Sequence, residues 1–561
     1  MKKLITLGIS YMAYDTSAAL MIDGELISCC EEERYNLQKH TREFPINAVK
    51  NCLESANLKI NEINTICFGF DPDIYHNYEF KNKINRRPLP TKDEIKTEVN
   101  NKLGFNGNIE FFEHHLCHAA SAYYPSGFED AVIISNDGIG EVACSLIAYG
   151  QGSSLKAKYR ENYFPNSLGI AYKAITKFLG WGNGDEGIIM GLAPYGDPKK
   201  KIPYSNNTYE EIFDEMIKVK GYKYFINDEW FSFPFERDTW ITNKFINTFG
   251  ERRKKDTFIS YHHKNIAAGI QSKLEKIIIS QLINLKEEFP HSKLCIAGGI
   301  GLNCSLNGKI EKLNLFDEIF IPPASGDNGI SIGACYLSQN QSKSISPKKI
   351  ISFSKGSKFN SSEIEHCLNK FNINYEKPIK FYEIVANQIK DKKIIGWFQD
   401  GAEFGPRALG NRSILASPFP GSMKDHVNKR VKFRESFRPF APAILEGFQK
   451  EYFDIKQSSP FMLIAANTKK EKINDIPAVV HVDGSARIQS VNLKSNEKLY
   501  YLLEAFKEIT GIPVLMNTSF NVKGQPIVNS PEDAIKTFLN TNIDVLAIGD
   551  FIALKDENKC K

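Results

Sequence analysis

The sequence lacks the features of a membrane protein, a secreted protein or a disulfide-rich protein. No apolar stretch in its 561 residues is long enough to span a bilayer. Its 11 cysteines include no Cys-x-x-Cys pair, so we expect reduced thiols that mostly pack as small hydrophobic residues. Basic residues precede the first apolar run, as in a signal peptide, but Gly8 and Ser10 interrupt that run too early. These absences predict a cytoplasmic protein.

The sequence also has little excess charge of either sign. Its 71 basic and 66 acidic residues give a formal net charge of +5, which is nearly neutral for this length. Such a balance implies neither nucleic acid nor a membrane surface as a partner. No stripe of alternating basic and aromatic residues recurs, so an RNA-binding surface is not expected.

The Walker A motif and the Rossmann fingerprint are both absent. Instead, glycine-rich turns follow predicted strands at Asp137–Gly140 and Gly298–Asn303, and another lies at Ser325–Gly329. Turns of this kind offer backbone N–H groups to phosphate, although they also serve simply to reverse a chain. The candidate nucleotide-binding residues are Gly138, Gly298, Gly299, Asn303 and Gly326.

The length of the chain and a change in its composition predict two domains. A segment rich in Ser, Lys and Gln at 341–358 is the expected linker between domains 1–340 and 359–561. The looser, charged and aromatic sequence around 197–256 is the expected insertion in the first domain. No internal repeat stands out. Strands are predicted at 4–9, 18–22, 25–30, 131–135, 144–148, 294–297, 394–398, 512–516 and 545–548, and helices at 498–509 and 531–539. The alternation of strands and helices predicts an α/β or α+β protein.

A run of histidines predicts a metal site. His114 and His118 lie four residues apart, so on a helix they project from one face and can share one cation, whereas His115 points elsewhere. Asp137 and Asp327, each in a glycine-rich turn, are the candidate oxygen ligands. Two histidines with one or two carboxylates suit Fe(II), Mn(II) or Zn(II). The alternative is a pair of core histidines satisfied by hydrogen bonds.

A basic loop predicts a site for a small oxyanion. Residues 404–413 place Arg407, Arg412, an amide and a hydroxyl on a turn punctuated by Gly and Pro, where backbone N–H groups can point at a ligand. A second basic run, Lys432–Phe440, follows closely, so at least four cations are expected to converge on one pocket. The alternative is a set of ordinary surface charges.

Further motifs run in order along nearly the whole chain. They are Ala18–Leu20, Glu31–Arg34, Lys39–His40, Met190–Gly196, Gly298–Gly299, Gly326–Asp327, His481–Arg487 and Asn517–Asn521, besides the histidine run and the arginine loop. With these motifs the chain resembles the carbamoyltransferase family that includes the tobramycin O-carbamoyltransferase and the nodulation carbamoyltransferases. The resemblance implies an N-terminal actin-like (ASKHA-type) ATPase domain, related to the tRNA threonylcarbamoyl-transfer enzymes, followed by a YrdC-like domain. A homodimer is a candidate assembly.

The resemblance also implies a two-stage reaction. Carbamoyl phosphate would react with ATP to give a carbamoyl adenylate, which then carbamoylates a hydroxyl or an amine of a small-molecule, natural-product or sugar-like acceptor. Fe(II) is the preferred metal, with Mn(II) or Zn(II) as alternatives, at the four residues named above. Carried over from the family, the carbamoyl phosphate-binding residues are Arg407, Lys432, Arg438, Arg487, Asn517 and Ser519. A phosphate dianion suits these cations, and a planar amide suits amide partners.

Two departures from the family pattern concern the acceptor side. Tyr14-Asp15 stands where the family usually has His-Asp, and Ile188-Ile189 precedes Met190, where the family has a lysine. The missing histidine is the family's expected general base, and a tyrosine, with an ordinary pKa of about 10, is a poor base at neutral pH. We therefore expect an altered acceptor, such as an amine, with Tyr14, Asp15 and His40 as the catalytic candidates. The plain alternative is that Tyr14 only packs and another residue is the base.

Three other functions fit parts of the pattern. A tRNA-modifying enzyme would share both domain types, but the sequence has no RNA-binding stripe. A sugar kinase would have the ATPase turns without the basic second domain. A non-catalytic member that only binds metabolites is consistent with the lost histidine.

Overall fold

The computed structural model describes residues 3–12, 14–78, 89–234, 236, 239–290 and 292–555. The chain forms two compact units: the first consists of 1–14, 20–25 and 59–349, and the second of 15–19, 26–58 and 350–561. The predicted domains divide the chain only once, whereas here two early segments group with the C-terminal residues. The outermost residues of both predicted domains, 1–2 and 556–561, lie outside the described residues.

The first sheet begins at the N-terminus. Its strands are β1 (Ile5–Ser10), β2 (Ser17–Ile22), β3 (Glu25–Glu31), β4 (Thr65–Phe68) and β5 (Asn108–Phe111), in the order β3-β2-β1-β4-β5. The early helices of the chain are α1 (Glu33–Asn36), α2 (Ile46–Ser55), α3 (Pro72–His76) and α4 (Lys92–Leu103). The strands predicted at 4–9, 18–22 and 25–30 are confirmed. Asp23 and Gly24 between β2 and β3 both have positive φ, at 50° and 86°, as a tight two-residue hairpin turn requires.

The second sheet repeats the topology of the first. Its strands are β6 (Asp130–Asn136), β7 (Ser145–Gln151), β8 (Ser154–Tyr159), β11 (Lys293–Ala297) and β12 (Ile319–Phe320), in the order β12-β11-β6-β7-β8. In both sheets the first strand lies in the middle, with its second and third strands on one side and its fourth and fifth on the other. Such a duplicated sheet is the core expected of an actin-like ATPase domain, and that expectation is confirmed.

Helices and one small hairpin complete this part of the chain. They are α5 (His114–Ser126), α6 (Leu168–Phe178), α7 (Glu186–Leu192), α8 (Tyr209–Met216), β9 (Ile217–Lys220), β10 (Lys223–Ile226), α9 (Asn243–Phe249), α10 (Tyr261–Glu288), α11 (Cys304–Leu313) and α12 (Ile330–Ser342). The expected insertion, 197–256, contains α8, the β9–β10 hairpin and α9. Its rings Phe213, Trp230 and Phe245 are buried, and the centre of the Phe245 ring lies 4.8 Å from that of Phe178 in α6.

Close packing at two glycines fixes the helix that follows the Asp327 turn. A Cβ at Gly333 of α12 would lie 1.9 Å from the Cys117 carbonyl oxygen of α5, and a Cβ at Gly8 of β1 would lie 2.0 Å from the Ser331 carbonyl oxygen. Only glycine permits backbones to approach this closely. The turn before α12 is thereby held beside α5, which carries the histidines.

The second unit is built on an eight-stranded mixed sheet. Its strands are β13 (Ile395–Phe398), β14 (Arg412–Ala416), β15 (Ala441–Leu445), β16 (Ile464–Asn467), β17 (Ser485–Val491), β18 (Val514–Ser519), β19 (Val545–Ile548) and β20 (Phe551–Leu554), in the order β16-β17-β15-β18-β14-β13-β19-β20. Its helices are α13 (Ser361–Lys370), α14 (Phe381–Lys390), α15 (Met423–Val427), α16 (Gln449–Tyr452), α17 (Glu497–Thr510) and α18 (Pro531–Leu539). The α/β and α+β fold class is confirmed in both units.

The core of this sheet lies under α14 and α17, where Val385, Trp397, Leu415, Leu499 and Phe506 are buried together. The strand predicted at 512–516 is displaced, because β18 continues to Ser519 by pairing with β14. This displacement puts two predicted donor-site residues, Asn517 and Ser519, on a strand. Among the described residues, no helix is both long and apolar enough to cross a membrane.

Candidate functional site

The predicted metal ligands come together at the start of α5. His118 Nε2 lies 3.0 Å from Asp137 Oδ2 and 3.1 Å from His114 Nε2. Asp327 Oδ1 lies 3.5 Å from His114 Nε2 and 3.6 Å from His118 Nε2. The four ligand atoms all lie within 4.8 Å of one another. Helical spacing brings the histidines to one face, and the turns after β6 and before α12 supply the carboxylates.

The donor set fits one divalent cation. Ligands about 2.1 Å from a single first-row metal lie roughly 3.0–3.5 Å apart. The separations given above are close to this range, and the distance from His114 Nε2 to Asp137 Oδ2 is somewhat longer, at 3.9 Å. Both histidines are fully buried, so two carboxylates face them in a medium that screens charge poorly. Within the described residues neither imidazole Nδ1 has a hydrogen-bond partner. The packing of α5, rather than a second acceptor, therefore orients the two rings.

The electrostatics of the cluster also favour a cation. Burial alone lowers the pKa of His118, but hydrogen bonds to Asp137 and Asp327 raise that pKa to about 9. Burial works against the charged form of Asp137, yet both histidines hold its pKa well below the usual range. Burial and the charge of Asp137 raise the pKa of Asp327. Positive charge at the centre of the cluster is therefore strongly stabilised.

His115 has a structural role, as its spacing predicts. Its Nδ1 lies 2.9 Å from Ser135 Oγ and its Nε2 lies 3.0 Å from the Ala143 carbonyl oxygen. Burial, together with His114 and His118, lowers the pKa of His115 well below its usual value, so the ring is neutral. Glu141, which sequence reasoning missed, accepts the His114 N–H at 3.0 Å and anchors the start of α5.

The glycine turns surround Asp137. Gly298 has φ +80°, and a Cβ there would lie 2.2 Å from the Asn136 carbonyl oxygen. A Cβ at Gly299 would lie 3.0 Å from Asp137 Oδ1, which accepts the Gly138 N–H. Gly326 directly precedes Asp327 in the sequence. Gly138, Gly299 and Gly326 therefore adjoin the metal ligands, and Gly298 packs on Asn136, the residue before Asp137. The role of these glycines in nucleotide binding stays a prediction.

The fifth, Asn303, has a different environment. Its Oδ1 caps α11 by accepting the Leu306 N–H at 3.0 Å. Its Nδ2 donates to Gln271 Oε1 at 3.0 Å. The side chain of Asn303 is thus engaged within the first unit, and its helix-capping bond is a structural contact that the sequence motif did not reveal.

Lys432 is the centre of the predicted donor pocket. It ends a π-helical turn, Asn428–Lys432, and is 5% exposed. Its Nζ donates to the Ser519 carbonyl oxygen at 2.8 Å and to Asn521 Oδ1 at 2.7 Å. Burial first, and then the charges of Arg434, Arg438 and Lys39, lower the pKa of Lys432 well below its usual value. A buried lysine beside other cations is a candidate anion site.

Arg434 lies in the predicted basic run Lys432–Phe440, although it is not among the donor-binding residues carried over from the family. Its guanidinium lies 4.3 Å above the Phe440 ring, and its Nε donates to Asn428 Oδ1 at 3.0 Å. Burial and the charges of Arg438 and Arg487 lower the pKa of Arg434 to about 9. Lys39, Arg434 and Arg438 thus act electrostatically on Lys432, and Arg438 and Arg487 act on Arg434.

Amide and hydroxyl groups complete the pocket. Asn517 Nδ2 donates to the Ala408 carbonyl oxygen at 3.2 Å and to Gln489 Oε1 at 2.7 Å. Asn517 Oδ1 is buried and accepts no hydrogen bond from the described part of the chain. Ser519 Oγ lies 3.2 Å from Lys432 Nζ. Arg407, half-buried and adjacent to Ala408 in the sequence, lies on the loop that Asn517 contacts.

The arginine loop itself is less open than its sequence predicts. Arg412 is completely buried, and its guanidinium donates to the carbonyl oxygens of Gln399 at 2.5 Å and Ser357 at 2.9 Å. Glu403 Oε1 accepts the backbone N–H groups of Leu409, Asn411 and Arg412. The prediction that both guanidiniums bind a ligand is therefore wrong for Arg412. The prediction of free backbone amides is wrong for these three amides, whose hydrogen bonds to Glu403 hold the loop together.

The acceptor-side residues form a hydrogen-bonded group within the second unit. His40 Nδ1 lies 2.7 Å from Asp15 Oδ1, and Glu33 Oε2 accepts the His40 N–H at 2.8 Å. Both Asp15 and His40 have φ of 58°, a strained backbone conformation for residues other than glycine. In the first unit, Lys173 Nζ lies 4.4 Å from the centre of the Tyr14 ring.

Comparisons with known proteins identify the family of the chain. Residues 5–336 match the family model of the carbamoyltransferase N-terminus, and residues 386–555 match that of the carbamoyltransferase C-terminus. The chain is 35% identical to nodulation protein NolNO of Sinorhizobium fredii, over 97% of this chain and 79% of that protein. It is also 35% identical to the uncharacterized protein sll1178 of Synechocystis sp., over 98% of this chain and 96% of that protein.

Likeness to solved structures is weaker. HypF from T. kodakarensis gives a TM-score of 0.31 with 14% identity, covering 60% of this chain and 47% of that one. A TM-score at this level does not establish a shared fold or function. The N-terminal family match alone covers more than half of the sequence, and the C-terminal match covers most of the second unit. The chain therefore belongs to the carbamoyltransferase family of enzymes.

Proposed function

We propose that this carbamoyltransferase moves the carbamoyl group of carbamoyl phosphate, by way of a carbamoyl adenylate, to a hydroxyl or an amine of a small molecule. The observation that carries the proposal is a group of five basic side chains that includes the buried Lys432, within a unit that largely matches the family's C-terminal model. A dianion is the ligand that such a cluster stabilises best. The buried acceptor Asn517 Oδ1 suits the NH₂ group of a carbamoyl donor.

The chemistry balances with ATP and water. Water cleaves the P–O bond of carbamoyl phosphate, which releases inorganic phosphate and carbamate. A carbamate oxygen then attacks the α-phosphorus of ATP and expels pyrophosphate, which leaves carbamoyl adenylate. The acceptor attacks the carbamoyl carbon, AMP leaves with the bridging oxygen, and the acceptor's proton passes to a base. A divalent cation at His114, His118, Asp137 and Asp327 would neutralise negative charge on the nucleotide.

The proposal is tested by product release. Protein supplied with Fe(II), Mn(II) or Zn(II), ATP and carbamoyl phosphate should release phosphate and pyrophosphate. Incubation with a metabolite pool of the native host, followed by mass spectrometry, should reveal one compound that gains a carbamoyl group. Release of neither phosphate nor pyrophosphate with metal bound would contradict the proposal and favour a protein that only binds metabolites. Modification of tRNA in place of small molecules would favour the tRNA enzyme.

Replacing Arg438 by methionine should weaken donor binding without unfolding the protein. The Arg438 side chain is 32% exposed and its ion pair with Glu435 is long, at 3.6 Å, so its loss should cost little stability. We expect kcat/KM for carbamoyl phosphate to fall roughly 100-fold, because one charge-assisted contact to the dianion is lost. Arg438→Lys should recover part of that loss. Lys450→Met, an exposed change of the same charge, should leave kcat/KM unchanged, and equal values in all variants would exclude Arg438 from the pocket.

The Asp15–His40 pair is our candidate for the base, and pH should reveal it. Burial lowers the pKa of His40, but the hydrogen bond and charge of Asp15 raise it above the usual value. A histidine base must be neutral, so activity should rise with pH through the His40 pKa. Asp15→Asn removes the charge that raises this pKa and should move the acid limb of the pH profile to lower pH. Transfer to the acceptor found by mass spectrometry is the measurement.

The matching control is Tyr14→Phe, which removes only the phenolic hydroxyl. Activity equal to that of the unchanged protein would remove Tyr14 from the mechanism, leaving His40 as the candidate. A shifted pH profile in Tyr14→Phe, together with an unshifted one in Asp15→Asn, would instead assign the base to Tyr14.

A further inference from the structure

A carboxylate lies inside the cationic cluster of the donor pocket. Glu435 Oε2 is 3.6 Å from Arg438 Nη1, and the Arg438 N–H donates to the Glu435 carbonyl oxygen at 3.2 Å. The pair is therefore built across one turn of the loop that follows Lys432. Both side chains are partly exposed, at 24% for Glu435 and 32% for Arg438, while the Glu435 Oε2 atom itself is buried.

The charges around Glu435 are strongly unbalanced. Arg434 and Arg438 lie within three residues of it, Lys432 interacts electrostatically with both arginines, and Arg487 acts on Arg434. Among the groups that most affect Arg434, Glu435 is the carboxylate that favours its charged form. One negative charge thus faces several positive charges in the pocket assigned to a phosphate dianion.

Any anion that binds through Arg438 has to compete with this carboxylate. A phosphate dianion offers two charges and several acceptor oxygens, whereas Glu435 offers one charge at a rather long distance from Arg438. A dianion can therefore displace Glu435, and a more weakly charged ligand does so less readily. The same carboxylate repels the product phosphate as long as that phosphate stays bound.

We propose that Glu435 is an internal competitor for the donor phosphate, which restricts the pocket to strongly charged ligands and speeds the release of inorganic phosphate. This role rests on the proposed function, because it takes the cluster around Lys432 to be the phosphate site. Glu435 is a positioning residue in this scheme. It acts on the ligand through Arg438, and it neither forms nor breaks a covalent bond.

The test measures binding of inorganic phosphate to the full-length protein by isothermal titration calorimetry. Glu435→Gln keeps the size of the side chain and removes the competing charge, so phosphate should bind roughly tenfold more tightly. Product inhibition by phosphate should strengthen by the same factor. Glu471→Gln, a change of equal charge at an exposed residue of the same unit, should leave both quantities unchanged.

A double variant shows whether the effect passes through Arg438. In the Arg438→Met background, Glu435→Gln should no longer tighten phosphate binding, since the contact it competes for is gone. Unchanged or weaker binding in Glu435→Gln, with normal binding in the unchanged protein, would overturn the role of Glu435 and leave the proposed function standing. Absence of phosphate binding in the unchanged protein as well would overturn the pocket itself. Thermal unfolding of each variant confirms that the compared proteins are folded.

Discussion

Replacing His118 by alanine is expected to abolish tight metal binding and to reduce carbamoyl transfer by at least about 10³-fold. The side chain is completely buried, and its Nε2 lies within 3.6 Å of each of the other three ligand atoms. Alanine removes one of four ligands and leaves two carboxylates facing a single imidazole. Metal content after reconstitution with Fe(II), Mn(II) or Zn(II) should fall from about one ion per chain to nearly none.

A second measurement separates a metal ligand from a core histidine. Metal stabilises a protein that binds it in the folded state, so a chelator should lower the unfolding temperature of the unchanged protein but not that of His118→Ala. His76→Ala, at an exposed histidine of the same unit, should behave like the unchanged protein. Full metal content in His118→Ala would contradict a metal-ligand role for His118. It would favour the alternative reading of the sequence, in which His114 and His118 are core histidines satisfied by hydrogen bonds.

The metal cluster was predictable because each part follows a local rule. Four-residue spacing places His114 and His118 on one helical face wherever α5 begins, and strand-ending turns place Asp137 and Asp327 at a sheet edge. The duplicated sheet was not predictable in this way. Its two halves share strand order, which is a property of pairing between distant segments, while their sequences show no repeat.

The basic loop contains two arginines whose different roles cannot be predicted from the sequence. Arg407 and Arg412 stand five residues apart with similar neighbours, so a motif treats them alike. The fold distinguishes them, since Arg412 begins β14 with its guanidinium turned toward backbone carbonyls of other segments. Those carbonyls belong to residues 357, 399 and 529, whose proximity depends on the completed sheet. Lys39 joins the donor cluster for the same reason, because segment 26–58 groups with the second unit.

The grouping of that early segment has a visible cause. Arg34 Nη2 donates to the Gly405 carbonyl oxygen at 2.7 Å, and its Nε donates to Glu31 Oε2 at 2.8 Å. The Glu32 N–H donates to the Thr16 carbonyl oxygen at 2.9 Å. The motif Glu31–Arg34 thus connects the segment to the arginine loop. The sequence of the motif alone does not reveal this structural role.

Arg412→Met should be the most destabilising single change in the second unit. The guanidinium donates to carbonyl oxygens of Gln399, Ser357 and Asn529, and it lies 3.7 Å from the centre of the Phe398 ring. Burial lowers the pKa of Arg412 to about 10, so the group is still charged at neutral pH. Methionine fills similar volume but leaves these carbonyls and Glu403 buried without their cation. We expect a loss of about 3–5 kcal/mol in the free energy of unfolding.

The matched change on the same loop is Arg407→Met. Because Arg407 is assigned to the donor, it should reduce kcat/KM for carbamoyl phosphate while shifting the unfolding temperature little. Arg412→Met should lower the unfolding temperature by roughly 10 °C, given the size of the unit. Urea unfolding and donor titration of both variants are the measurements. Equal stability of the two variants would show that Arg412 does not hold the loop, since the five backbone contacts of its guanidinium would then contribute nothing measurable.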